Sequence, residues 1–177
     1  YEGYQNSVKQ VLLQARRTQG SGVHGVVATL ITVPRKLERA IDMVLGGALQ
    51  NIVVEREEDA KRMIDFLRNG RLGRATFLPL TNIRSNPIKE NDMAARGGYV
   101  GLASELVQCD DCYREVVASL LGRTVVTEDI DAATAIAKAY GYRYRAVTLD
   151  GQVVNAGGSL TGGSVNKNAS ILSRRGE

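Results

Sequence analysis

The chain has 177 residues, 44% of them hydrophobic and 24% charged, with 19 glycines, three prolines and no tryptophan. These values fit one good-sized domain or two small ones, and exclude a disordered, fibrous or disulfide-built protein. The formal charge of +4 permits contact with nucleic acid but does not demand it.

Residues 1 to about 18 read as a helix. Tyr1, Tyr4, Val8, Val11 and Ala15 recur at spacings of 3 and 4, the seam of a heptad repeat. The pattern is already running at the first residue without an N-cap, so the chain reads as cut from something longer. Gly20-Ser21-Gly22 closes this helix. Val23 to Ala28 is a short apolar strand-like run. Pro34 precedes a helix from Lys36 to Leu49 with Leu37, Ala40, Ile41, Val44, Leu45 and Ala48 on one face. Ile52-Val53-Val54 is a strand. Glu57 to Leu67 is a helix with Ala60, Met63, Ile64 and Leu67 inward. Ala75 to Leu78 is a strand closed by Pro79.

The stretch 81–98 is polar, carries Asn86-Pro87 and Gly97-Gly98, and reads as a connector. A helix over Tyr113 to Leu121, a strand at Val125-Val126, a helix over Asp131 to Tyr140 and a strand over Tyr144 to Leu149 follow. Asp150-Gly151 signals a hairpin turn, with Gln152 to Val154 returning. Acids bunched at Glu128, Asp129 and Asp131, and from Glu55 to Asp59, suit helix capping better than metal binding.

The second half repeats the first. Leu45-Gly46, Val53-Val54, Ala60, Ile64 and Arg74-Ala75 match Leu121-Gly122, Val125-Val126, Ala132, Ile136 and Arg145-Ala146. The offset is 72 residues from Val53 to Ile64 and 71 at Arg74. Two related α/β subdomains are expected, each running helix, strand, helix, strand. Each strand–helix–strand is long enough for a right-handed parallel crossover.

Cys109 and Cys112 form a single Cys-x-x-Cys. Zinc would need a second such pair or histidines, and His24 is the sole histidine. Acids at both intervening positions oppose a redox thiolate. Two reduced cysteines at a helix start are expected, in a reducing, cytoplasmic compartment. No charged segment followed by an apolar core opens the chain, and the run Gly22 to Pro34 is too short to span a bilayer, so no membrane partner is expected.

The segment Asn155 to Ser164 carries two glycine pairs, Gly157-Gly158 and Gly162-Gly163, directly after a strand. As a phosphate loop it lacks the lysine, whose position Gly163 holds. As a dinucleotide loop it lacks the G-x-G-x-x-G spacing. As an edge strand its glycines let another chain's backbone come close, which suits a dimer interface. A plain flexible loop is the remaining alternative. A nucleotide-binding enzyme fragment is therefore disfavoured, and neither a catalytic set, a metal site nor a cofactor is expected. From Tyr142 to the C-terminus five basic residues face two acids. Arg143 and Arg145 alternate on a strand and share one face. With Lys167, Arg174 and Arg175 they form a candidate patch for DNA phosphates.

Taken together, several segments resemble the hinge domain of a bacterial SMC (structural maintenance of chromosomes) protein. They are Gly22 to Val27, Leu45 to Val54, Gly73 to Leu80, Leu121 to Val126, Tyr142 to Gly151 and Asn155 to Ser164, in the family's order over nearly the whole chain. The resemblance implies a mixed α/β hinge fold of two subdomains, flanked by coiled-coil ends. Residues 1–19 would end one arm, 20–80 and 99–165 would be the subdomains, 81–98 the connector, and 166–177 the return toward the arm. It implies a homodimer that joins two coiled-coil arms into a V or ring. The parent protein would be a nucleoid-associated condensin-type ATPase, whose ATPase heads and other subunit contacts lie elsewhere. It places Gly157, Gly158, Gly162 and Gly163 at the dimer contact and a weak, sequence-independent DNA contact near the coil junction, where Lys167 carries over directly.

Overall fold

The computed structural model describes residues 3–164 and 171–172. Helix α1 (Asn6–Arg17) opens it. A first unit follows: strand β1 (Val23–Val26), helix α2 (Val27–Leu30), strand β2 (Ile31–Thr32), a 3-10 turn Arg35–Leu37 leading into α3 (Glu38–Leu45), a second 3-10 turn Gly46–Gln50, β3 (Ile52–Val54), α4 (Glu57–Gly70) and β4 (Phe77–Pro79). A second unit takes the same order: β5 (Tyr99–Leu102), α5 (Ala103–Leu106), β6 (Gln108–Cys109), a 3-10 turn Asp111–Tyr113, α6 (Arg114–Leu121), β7 (Thr124–Thr127), α7 (Ile130–Ala139) and β8 (Arg145–Thr148). It then adds β9 (Val153–Val154) and β10 (Leu160–Thr161).

The two units share strand pairing as well as order. In the first sheet β3 lies between antiparallel β1 and parallel β4. In the second, β7 lies between antiparallel β5 and parallel β8, and the β9 and β10 additions make five strands. Each antiparallel pair carries an irregularity at the matching place, between Val23 and Gly25 and between Tyr99 and Gly101. The offset is 76 residues through Leu45 and Leu121, 73 at the caps Arg56 and Asp129, and 69 at Phe77 and Ala146. This corrects the sequence alignment, which is one residue out at the crossover helices and two at the following strands. Ala60, Met63 and Leu67 correspond to Ala133, Ile136 and Tyr140, all buried. Ile64, expected inward, is 46% exposed. The offset changes because the first unit has a longer link after α3 and a longer crossover helix than the second.

Strands β2 and β6 pair antiparallel, Ile31 against Cys109 and Thr32 against Gln108. A pseudo-two-fold axis therefore passes near the Thr32–Gln108 pair, where the units meet. One core runs through both, from Val8 and Val11 of α1 through Ile41 and Leu121 to Val147 and Leu172. The heptad-spaced Val8 and Val11 are 2% and 0% exposed and are spent on this core, so that part of the seam faces the domain itself rather than a partner helix. Tyr1 lies outside the described residues.

The connector is docked. Ile88 and Met93 sit in a second core with Ile136, Tyr140 and Tyr144. Burying two such side chains contributes about 3–6 kcal/mol. The Ile88 amide donates to Gly122 O at 2.8 Å, Tyr140 O–H donates to Asp92 at 2.7 Å, and Tyr144 O–H donates to Glu90 at 2.7 Å. Capping follows the expectation at both crossover helices. Asp129 accepts the Ala132 amide at 2.8 Å, and Asp59 accepts the Arg56 amide at 3.0 Å. The Cys-x-x-Cys straddles a strand end and a 3-10 turn, with both thiols free.

Candidate interaction site: a glycine-bounded sheet edge

The turn after β8 is the expected hairpin, closed by Thr148 N–H to Gln152 O at 2.9 Å. The chain then reverses through Asn155 to Ser159 and lays β10 along β9, Leu160 opposite Val154 and Thr161 opposite Val153. Strand β10 ends the five-stranded sheet, so its outer side is open among the described residues.

The hydrogen-bond alternation fixes which groups face outward. The Asn155 amide donates to Ser159 O at 2.7 Å, which makes 155/159 a bonded pair. Leu160, the next position, is then unbonded to β9, and its own N–H and C=O point to the open edge. The Leu160 side chain is 62% exposed, the most exposed large hydrophobic among the described residues. Tyr142, 37% exposed, lies against the turn that leads into β10. The Gly157 amide donates to Tyr142 O at 2.8 Å, and a Cβ on Gly158 would meet the Tyr142 ring at 3.6 Å.

The four glycines flank this edge, as their spacing predicts, but their immediate reasons lie within the chain. Gly157 and Gly158 have φ of +91° and +104° and turn the backbone from β9 into β10. A Cβ on Gly162 would collide with the Gln152 side-chain amide. That amide accepts from Gly163 N at 2.8 Å and donates to Gly163 O at 3.0 Å, continuing the ladder beyond β10. Tyr142 and Gln152 are the residues sequence reasoning missed. The one available signal was Tyr142 following Gly141, where the chain turns with φ of +58° at a tyrosine.

The basic residues are not brought together. Arg143 precedes β8 rather than lying in it, so it does not share a strand face with Arg145. Its guanidinium donates to Tyr140 O at 2.9 Å and to Glu90 at 3.2 Å. Arg145 reaches across to the first unit and donates to Val44 O at 2.9 Å. Both are tied into the fold because the turn at Gly141-Tyr142 sets Arg143 against the connector. Lys167, Arg174 and Arg175 lie outside the described residues. No His/Cys/Asp/Glu group suited to a metal is present among the described residues, and no helix among them is long and apolar enough to cross a membrane.

The model of the SMC proteins flexible hinge domain matches residues 20–137. The chromosome partition protein Smc of Bacillus subtilis is 43% identical over 181 aligned residues, covering 100% of this chain and 15% of that protein. Its counterpart in Halothermothrix orenii is 40% identical, covering 98% of this chain and 15% of that protein. Among solved structures, the asymmetric dimer of the Geobacillus stearothermophilus SMC hinge domain matches with a TM-score of 0.90 and 46% identity, over 99% of this chain and 71% of that one. The Pyrococcus furiosus SMC hinge domain matches with a TM-score of 0.71 and 28% identity, over 90% and 86%. The chain thus spans about one-seventh of the curated relatives' length. With the paired α/β units and this agreement over the whole described fold, the chain belongs to the SMC hinge domain family.

Proposed function

We propose that this chain is the homodimerisation hinge of a chromosome-organising SMC ATPase, joining two coiled-coil arms into a V or ring. The role is non-catalytic, and the ATPase belongs to other parts of the parent protein. The carrying observation is the open β10 edge, where an exposed leucine stands beside outward-pointing backbone groups. A bare edge of this kind invites strand addition. The solved hinge dimer from Geobacillus stearothermophilus supports the same reading. A counterpart edge exists at β4, the equivalent of β8. The side of β8 that β9 covers is open at β4 among the described residues. We assign the two subdomains to 20–80 and 99–165 and the connector to 81–98.

Leu160→Pro tests the edge. It removes an N–H that makes no bond to β9, so it spares the chain's own ladder while blocking strand addition. Leu160→Lys is the second variant, placing a charge on the edge. Both are expected to be folded by circular dichroism and monomeric by light scattering. Dimers that persist in both variants would remove β10 from the interface.

Weak, sequence-independent DNA contact is part of the proposal, supported by the +4 charge and the basic C-terminal stretch. Its contacts would be Lys167, Arg174 and Arg175, with Arg143 and Arg145 contributing only their unengaged donors. Reversing the charge of the first three should abolish binding at low salt and leave the dimer intact; unchanged binding would assign the contact elsewhere.

A further inference from the structure

The pseudo-two-fold axis relates the starts of α3 and α6, and their charges are inverted. At the 76-residue offset Arg35 corresponds to Asp111, Glu38 to Arg114 and Arg39 to Glu115, while Lys36 and Asp110 add one further charge to their own clusters. The α3 start therefore exposes Arg35, Lys36 and Arg39. The α6 start exposes Asp110, Asp111 and Glu115. Each start also holds one opposing charge, exposed Arg114 against Asp110, Asp111 and Glu115, and partly exposed Glu38 against Arg35, Lys36 and Arg39. Each therefore keeps a net charge of two. Arg114 spends its donors on Val107 O at 2.8 Å, Ser104 O at 3.2 Å and Cys109 Sγ at 3.2 Å. Glu38 is only partly exposed.

The two starts need different explanations. Acids at the α6 start complement the helix dipole and need no partner. Basic residues at the α3 start oppose it. The α3 start is a cluster whose three basic side chains, Arg35, Lys36 and Arg39, have no ion-pair partner among the described residues.

The chain itself carries a matching surface. Because β2 and β6 are antiparallel, the two starts leave opposite ends of one short ladder. Between them the ladder exposes Thr32 and Gln108, while Ile31 and Cys109 are turned away from solvent to different degrees. We propose that a second copy of this chain docks on this face, across a two-fold axis perpendicular to the pseudo-axis. That operator sets each basic start against the partner's acidic start, and closes the contact isologously. The contact is separate from the β10 edge and would join hinges that are already dimerised there. Exposed pairs of this kind are weak singly, so the association depends on several acting together and on low ionic strength.

Sedimentation in about 10 mM and about 300 mM salt separates the two contacts, since the screening length falls from about 30 Å to well under 10 Å. The high-salt mass reports the β10 edge. The low-salt mass reports the new face and is expected to rise at least twofold, since each dimer presents two such faces. Arg35→Glu with Lys36→Glu should hold the high-salt mass in both buffers. These changes favour the helix dipole, so loss of association cannot be laid to unfolding. Asp110→Lys with Asp111→Lys should behave alike, and mixing the two variants should restore association, because a face acidic at both starts then meets a face basic at both. Combining all four changes in one chain swaps both clusters and should restore the low-salt mass. A wild-type mass equal in both buffers, or no recovery in the four-fold swap, would overturn the proposal. So would binding of a DNA duplex at Arg35 and Lys36 without any change in protein mass, which would give the face to a polyanion.

Discussion

Gly158 and His24 show how differently single residues can matter here. Gly158 holds φ of +104° under the Tyr142 ring. Alanine there should cost about 1–2 kcal/mol through backbone strain alone. Denaturant unfolding of Gly158→Ala checks this, and an unchanged midpoint would show that the turn can relax. The same fact complicates the simplest reading of the glycine pairs. Their spacing marks the right segment, but the sequence cannot distinguish a glycine that admits a partner from one that turns its own chain. His24 bridges the units. Its Nε2–H donates to Glu55 at 2.9 Å, since a carboxylate only accepts, and its Nδ1 is hydrogen-bonded to the Tyr113 hydroxyl at 2.7 Å. The pseudo-equivalent positions, Val100 and Leu37, are apolar. His24→Ala should cost about 1–2 kcal/mol, and His24→Val combined with Tyr113→Leu should cost less, because both polar partners leave together. A double variant less stable than His24→Ala would show that the polar bridge has no apolar substitute.

At the scale of elements, the connector carries a pH dependence. The Tyr140 hydroxyl bound to Asp92 holds that carboxyl below its ordinary value. The Ser85 amide and hydroxyl do the same for Glu115, at 2.7 and 2.9 Å. Both groups bind protons less readily folded than unfolded. Their contribution is therefore complete above the ordinary carboxylate range, near pH 4, and is lost as pH falls through the depressed values. Urea unfolding from pH 6 to 3 should show wild type losing stability faster than Asp92→Asn with Glu115→Gln; parallel curves would assign the acid sensitivity to other groups. The long elements were legible in the sequence, since α4, α6 and α7 have clear periodicity and β3 and β7 have β-branched runs. Strands β2, β6 and β10 are two residues each and carry no period, yet they make the seam and the open edge. The connector's polarity announced a link and hid Ile88 and Met93, two apolar anchors too widely spaced to form a pattern.

For the whole molecule, the repeat was visible although its register was not. Matching Ile64 to Ile136 aligned identical residues, whereas the fold aligns Met63 with Ile136 because burial, not identity, is what the crossover helices share. The second unit exceeds the first by the β9–β10 addition, which closes one sheet side and creates a new edge. That asymmetry makes β10 and β4 unlike ends of the two sheets among the described residues, and two copies related by a two-fold axis could pair one with the other twice. The central claim is that β10 is where two copies meet. Light scattering on wild type and Leu160→Pro tests it most directly. The expected result is a wild-type mass near twice 19.1 kDa and a folded Leu160→Pro variant near 19.1 kDa. A wild type that stays monomeric at high micromolar concentration, or a Leu160→Pro variant that remains a dimer, would contradict it.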